Sequence, residues 1–153
     1  MKVGLLAPMP SEFQPLVKAL GLTRGDTGYA GTAGAITLVA AKTGIGTQRA
    51  AAATTQLLDA QTVDHVMVVG IAGGMGPSRV GDVIVPEVVV DKVSGAEFRP
   101  APLGGAEARG RLVTHDDFDM SNGERDALVA AAARAVPMPV FAACRRTAPT
   151  VPA

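Results

Sequence analysis

VVGIAGGMGPSRVGDVIVP, residues 68–86, begins as an apolar run, spends four of the seven positions 70–76 on glycine, and then turns apolar again. Glycine carries no Cβ, so such a stretch lets main-chain N–H groups come within hydrogen-bonding distance of another group. Spacing alone leaves two readings with equal weight: a tight turn before a second strand, or a backbone lining for a ligand. The run leading into it, VDHVMVVG at 63–70, suits a buried strand and is the best central-strand candidate. In open α/β sheets ligands collect at the carboxyl ends of strands, where the loops diverge, and GIAGGMG stands at such an end.

Working outward, KVGLLA at 2–7 is a short apolar run closed by Pro8 and Pro10, which reads as a strand buried on both faces. Ser11 stands as a helix N-cap with Glu12 in the first turn, and Phe13, Leu16, Val17 and Leu20 follow at helical spacing until Gly21. Residues 26–41 read as a glycine-punctuated hairpin, 47–60 as an alanine-rich helix after the TGIG turn, and 111–114 as a short strand. VIV and VVV flank Pro86, and 92–109 is loop or edge material. The stretch 123–136 reads as an alanine-rich helix, PVFAA opens a further strand, and RRTAPTVPA has no pattern. Strands alternating with helices predict an α/β fold, a three-layer sandwich around a mixed, mostly parallel sheet. The expected division is a domain over 1–136 and a divergent tail over 137–153.

Composition narrows the function. Apolar residues make up 48% of the 153 and charged ones only 18%, so the surface is thinly charged and a subunit contact is expected. Fourteen basic and fourteen acidic residues cancel, which removes the long-range attraction that nucleic-acid and anionic-membrane binders use. No apolar run approaches the ~18 residues of a spanning helix, a signal-peptide layout is missing, and the single Cys144 rules out a disulfide framework. The expected address is the cytoplasm.

Few residue constellations carry chemistry. TGIGTQRA at 43–50 imitates a dinucleotide loop, but Arg49 occupies the third glycine position and no acid ends the following strand, so a plain strand-to-helix turn is the better reading. Glu12 follows a strand that ends near the crevice and is placed to act as a general base, although an acid in a first turn more often only complements the helix dipole. THDDFDMSNGE at 114–124 sets Phe118 among acids, as a platform for a flat ring or as a solvated loop. His65 reads as a surface or capping histidine. His115 beside Asp116 and Asp117 lacks the convergent geometry of a metal site.

MKVGLLAPMPSE, KTGIG, VVGIAGG, VGDVIVP and LVTHDDF together resemble, in order and approximate spacing, the methylthioadenosine/S-adenosylhomocysteine nucleosidases of the purine nucleoside phosphorylase/uridine phosphorylase superfamily. The resemblance spans 1 to about 136 and implies a nucleoside phosphorylase-like fold, incomplete at the C-terminus, that cleaves an N-glycosidic bond. It implies Glu12 as the catalytic carboxylate that holds and deprotonates the attacking water, Met9 on the sugar side, Ile71, Ala72 and Gly73 facing the nucleoside, and Phe118 stacked on adenine beside the Asp119 backbone. A purine nucleoside is then the partner, within a homodimer, and no cofactor and no metal is called for. The family continues with a Met-Glu pair that grips the ribose and an Asp that protonates the purine. Neither appears here, as though the chain were truncated or shifted out of frame after ARAV, so weak activity is expected. With no arginine before Arg24, water is preferred to phosphate as nucleophile, Arg49 and Arg79 staying open as phosphate partners. A nucleotide-binding module without chemistry, or a remnant exposing sheet edges, are the alternatives.

Overall fold

The computed structural model describes residues 1–74 and 79–114, with the backbone of 133–136. In chain order its elements are β1 (Lys2–Ala7), α1 (Pro10–Ala19), β2 (Thr23–Gly25), β3 (Gly28–Ala33), β4 (Ile36–Lys42), α2 (Thr47–Ala60), β5 (His65–Val68), β6 (Gly73–Gly74), β7 (Val88–Asp91), β8 (Glu97–Phe98), β9 (Arg111–Thr114) and β10 (Ala133–Val136). Among the described residues the strands form two five-stranded sets, β2-β3-β4-β1-β5 and β6-β10-β9-β7-β8. β1/β4, β1/β5, β7/β9 and β9/β10 pair in parallel, with β5 as the parallel edge of the first set, and β2/β3, β3/β4, β6/β10 and β7/β8 pair antiparallel. This is the expected α/β architecture with mixed sheet pairing.

Alternation along β1 sorts two cores. Val3, Leu5 and Ala7 cluster with Phe13 of α1 and with Leu22, Leu38 and Ala40, and Leu16, Val17 and Leu20 pack against them. Leu6, on the other face, joins Val39 and Leu57 of α2. The first sheet therefore lies between two helices, and each fully buried large apolar side chain contributes roughly 1.5–3 kcal/mol. Gly4 shares the α2 face, where a Cβ would stand 2.6 Å from Leu57 Cδ2. A Gly4→Ala change is expected to destabilise the fold by about 1–3 kcal/mol through overpacking. In a Leu57→Ala background, which itself removes about 2–5 kcal/mol, that penalty should largely vanish. Urea unfolding of the four proteins in the cycle measures it, and strictly additive losses would contradict this packing.

Helix α1 closes as its sequence directs: Gly21 adopts φ +61, its N–H bonds to Lys18 O at 3.3 Å, and Leu22 N–H bonds to Val17 O at 2.9 Å. These two bonds form a Schellman motif, with Leu22 and Val17 packed in the same cluster. Its start differs from expectation. The N-cap is Met9, Pro10 is the first helical residue, and Ser11 is exposed within the first turn. Glu12, at the third helical position, accepts the N–H of the N-cap residue Met9 at 2.8 Å, the reach-back bond of a capping box, and Ser11 is not the cap.

Two other expectations change. Among the described residues β5 is the outer strand of its set and β1 is flanked on both sides, because strand order depends on long-range pairing that an apolar run cannot encode. Residues 133–136, read as the end of an alanine-rich helix, form β10, bonded to β9 and antiparallel to β6. Alanine's helix preference is a weak local term, and backbone pairing with two neighbours outweighs it. The readings of 26–41, 47–60, 92–109 and 111–114 agree with β3, β4, α2, the short edge strand β8 and β9. The remaining readings over 115–132 and 137–153 lie outside the described residues.

Candidate functional site

Three turns meet where β4, β1 and β5 end. The N–H groups of Thr43 and Gly44 bond to Ala7 O and Pro8 O, each at 3.0 Å, which joins the β4–α2 turn to the β1–α1 turn. Val69 N–H bonds to Leu6 O at 2.9 Å and carries the β5 register one residue further, up to the glycine-rich turn. Gly44 at φ +82 and Gly46 at φ +98 shape the TGIG segment, and a Cβ on Gly44 would stand 3.2 Å from Arg49 Cδ. That segment is a strand-to-helix connection, as expected.

Glu12 is the centre of this junction. Its side chain is buried, with one carboxylate oxygen, Oε2, accepting Met9 N–H at 2.8 Å and the other, Oε1, accepting Ile71 N–H at 2.7 Å. One acid thus ties the start of α1 to the glycine-rich turn 59 residues further along the chain. Its negative charge is balanced by two N–H dipoles and by the positive end of α1, and such charge-assisted bonds are the strong kind. Each oxygen uses one lone pair on the backbone, leaving the other for a further donor. The carboxylate is therefore oriented before anything binds.

The structure brings Met9, Glu12 and Ile71 into direct hydrogen-bonded contact. Met9 is half-buried at the helix cap, and the Ile71 side chain is 70% exposed while its N–H is taken by Glu12. Ala72 packs toward Val89 and Leu112 in the second sheet's core, so only its backbone is left for other contacts. Gly73 opens β6 opposite Val136, and a Cβ there would meet nothing within 4 Å. Phe118 and Asp119 lie outside the described residues. His65 is exposed at the start of β5, at the opposite strand end from Glu12. Among the described residues no group of three or more His, Cys, Asp or Glu could hold a metal ion. Sequence reasoning did not single out Gly70, whose Cα faces the Glu12 carboxylate. Its signal was its place directly before Ile71 at the end of the strand.

Solved structures share this fold. A 5′-methylthioadenosine/S-adenosylhomocysteine nucleosidase from Helicobacter pylori, with butyl-thio-DADMe-Immucillin-A, aligns at a TM-score of 0.82 and 19% identity over 95% of this chain and 78% of its own. The futalosine hydrolase of Helicobacter pylori aligns at 0.81 and 18% identity, over 95% of this chain and 77% of its own. A nucleosidase of the first kind from Colwellia psychrerythraea, in complex with adenine, aligns at 0.78 and 25% identity, over 95% and 75%. The sequence itself matches the phosphorylase superfamily over residues 2–148, and the chain belongs to that superfamily.

Proposed function

We propose that this protein hydrolyses the N-glycosidic bond of a purine nucleoside of the methylthioadenosine/S-adenosylhomocysteine type. The observation that carries the reading is Glu12, buried at the end of β1 and held by two backbone N–H groups beside a glycine-rich turn. A carboxylate so fixed can orient water and take its proton as the water oxygen bonds to the anomeric carbon. The carbon–nitrogen bond breaks at the same time, and its electron pair leaves with the purine. Met9 lines the sugar side, the main chain at Ile71, Ala72 and Gly73 faces the nucleoside, and Phe118 with the Asp119 backbone holds the adenine. The names of the similar structures, nucleosidases and a hydrolase, support this chemistry. The same reading makes the protein a cytoplasmic homodimer in nucleoside catabolism and methionine salvage.

Adenine release from methylthioadenosine, followed by chromatography with and without phosphate, tests the proposal. Equal release in phosphate-free buffer is the expected result. Release that requires phosphate would replace hydrolysis by phosphorolysis. Saturable adenine binding with no product would favour the non-catalytic binding module.

A further inference from the structure

We infer that Gly70 is a positioning residue, whose lack of a side chain keeps the Glu12 carboxylate in line for the attacking water. The inference rests on the hydrolytic reading of Glu12. A Cβ built on Gly70 would lie 3.0 Å from Glu12 Oε1, 3.5 Å from Glu12 Cδ and 3.5 Å from Pro8 Cδ. The first distance is tighter than nine in ten contacts that a Cβ makes in real structures. Glu12 has little room to give way, because Oε1 is tied to Ile71 N at 2.7 Å and Oε2 to Met9 N at 2.8 Å.

Other reasons for a glycine are missing at this position. Gly70 is not among the glycines with positive φ, so an alanine meets no backbone strain. It is exposed, so a methyl group there does not overpack a core. At Gly73, three residues on in the same turn, a Cβ would meet nothing within 4 Å. The tightest contact that a side chain at position 70 would make is therefore with the acid. A methyl there must shift Oε1 by a few tenths of an ångström and turn the carboxylate away from the Ile71 N–H, and since a misplacement of about 1 Å at a reacting group reduces rate on the order of 10²-fold, a smaller loss follows here. Substrate binding, which uses other contacts, should change little.

The test compares the full chain as wild type, Gly70→Ala, Glu12→Gln, Glu12→Asp and the Glu12→Asp/Gly70→Ala double variant. The amide resonance of Ile71 is followed by ¹⁵N–¹H NMR, kcat and KM by adenine release, and the melting temperature by circular dichroism. For Gly70→Ala we expect the Ile71 amide to move upfield, away from its charged acceptor. We also expect kcat to fall about 3- to 10-fold, KM to stay within about twofold and the melting temperature within about 2 °C. In the Glu12→Asp background the same change should have no further effect on kcat, since an acid one methylene shorter stands back from the new methyl. A wild-type Ile71 resonance in Gly70→Ala, or an unchanged kcat, would overturn the inference. If instead Glu12→Gln keeps wild-type turnover, it is the base assignment that fails, and the Ile71 amide alone then decides whether Gly70 sets the carboxylate.

Discussion

Glu12→Gln is expected to lower adenine release by about 10²- to 10⁴-fold, the range lost when a positioned base is removed. The substitution preserves size and leaves one oxygen able to accept a backbone N–H. The amide nitrogen then faces the second N–H, donor against donor, so one of the two bonds to Met9 and Ile71 must break. Stability should fall modestly. Glu12→Ala removes both acceptors and leaves two partly buried N–H groups seeking partners, at about 1–3 kcal/mol for each that stays dry. The pair of variants separates two functions of one side chain. If the acid were only a cap and a strut, activity would follow stability, and the glutamine variant would be the more active of the two by a wide margin. If it activates water, both lose turnover alike while their unfolding midpoints differ. A glutamine variant with wild-type release would remove Glu12 from the chemistry.

How much of this was legible in the sequence depends on how local each feature is. The limits of α2 and β9 follow from composition and punctuation, and the structure reproduces them at 47–60 and 111–114. The end of α1 was legible for the same reason, because Gly21 can adopt the left-handed conformation at little cost. Strand order was not. Val66, Met67 and Val68 of β5 are only half-buried, yet their apolar run is hardly distinguishable from that of the flanked strand β1. Likewise the backbone of 133–136 is strand because β9 and β6 offer it partners, which no alanine count reveals.

The candidate site divides in the same way. Glu12 was legible as an acid placed just after a strand, where a crevice should open. The partner that makes it more than a helix cap is a main-chain N–H at Ile71, and a backbone donor leaves no mark on residue type. The glycine-rich turn announced a close approach without naming what approached. At Gly70 the neighbour is the protein's own carboxylate, whereas at Gly73 a Cβ would meet none of the described residues within 4 Å. The two glycines look alike in the sequence and differ in what surrounds them.

The packing beneath Glu12 leads to the second large effect: Phe13→Ala is expected to destabilise the fold by about 3–5 kcal/mol. Phe13 is 3% exposed, sits in the cluster formed by Val3, Leu5, Ala7, Leu22, Leu38 and Ala40, and meets Tyr29 edge-on with ring centroids 5.2 Å apart. The edge-to-face pair contributes about 0.5–1.5 kcal/mol beyond its buried area. A hollow bounded by Gln14, Arg24 and Tyr29 already opens beside the ring, so its removal lets water reach the core between α1 and the sheet. Against a typical total of about 5–15 kcal/mol, such a loss leaves a marginal protein. Because Phe13 follows Glu12 directly and its N–H bonds to Met9 O at 2.9 Å, loosening the ring also loosens the turn that aims the carboxylate. Phe13→Leu, which keeps much of the volume, should retain most of the stability and of the activity. The chain contains no tryptophan, so urea unfolding is best followed by far-ultraviolet circular dichroism. A Phe13→Ala midpoint close to that of wild type would mean that α1 does not depend on this ring for its place on the sheet, and that the carboxylate is held by its hydrogen bonds alone.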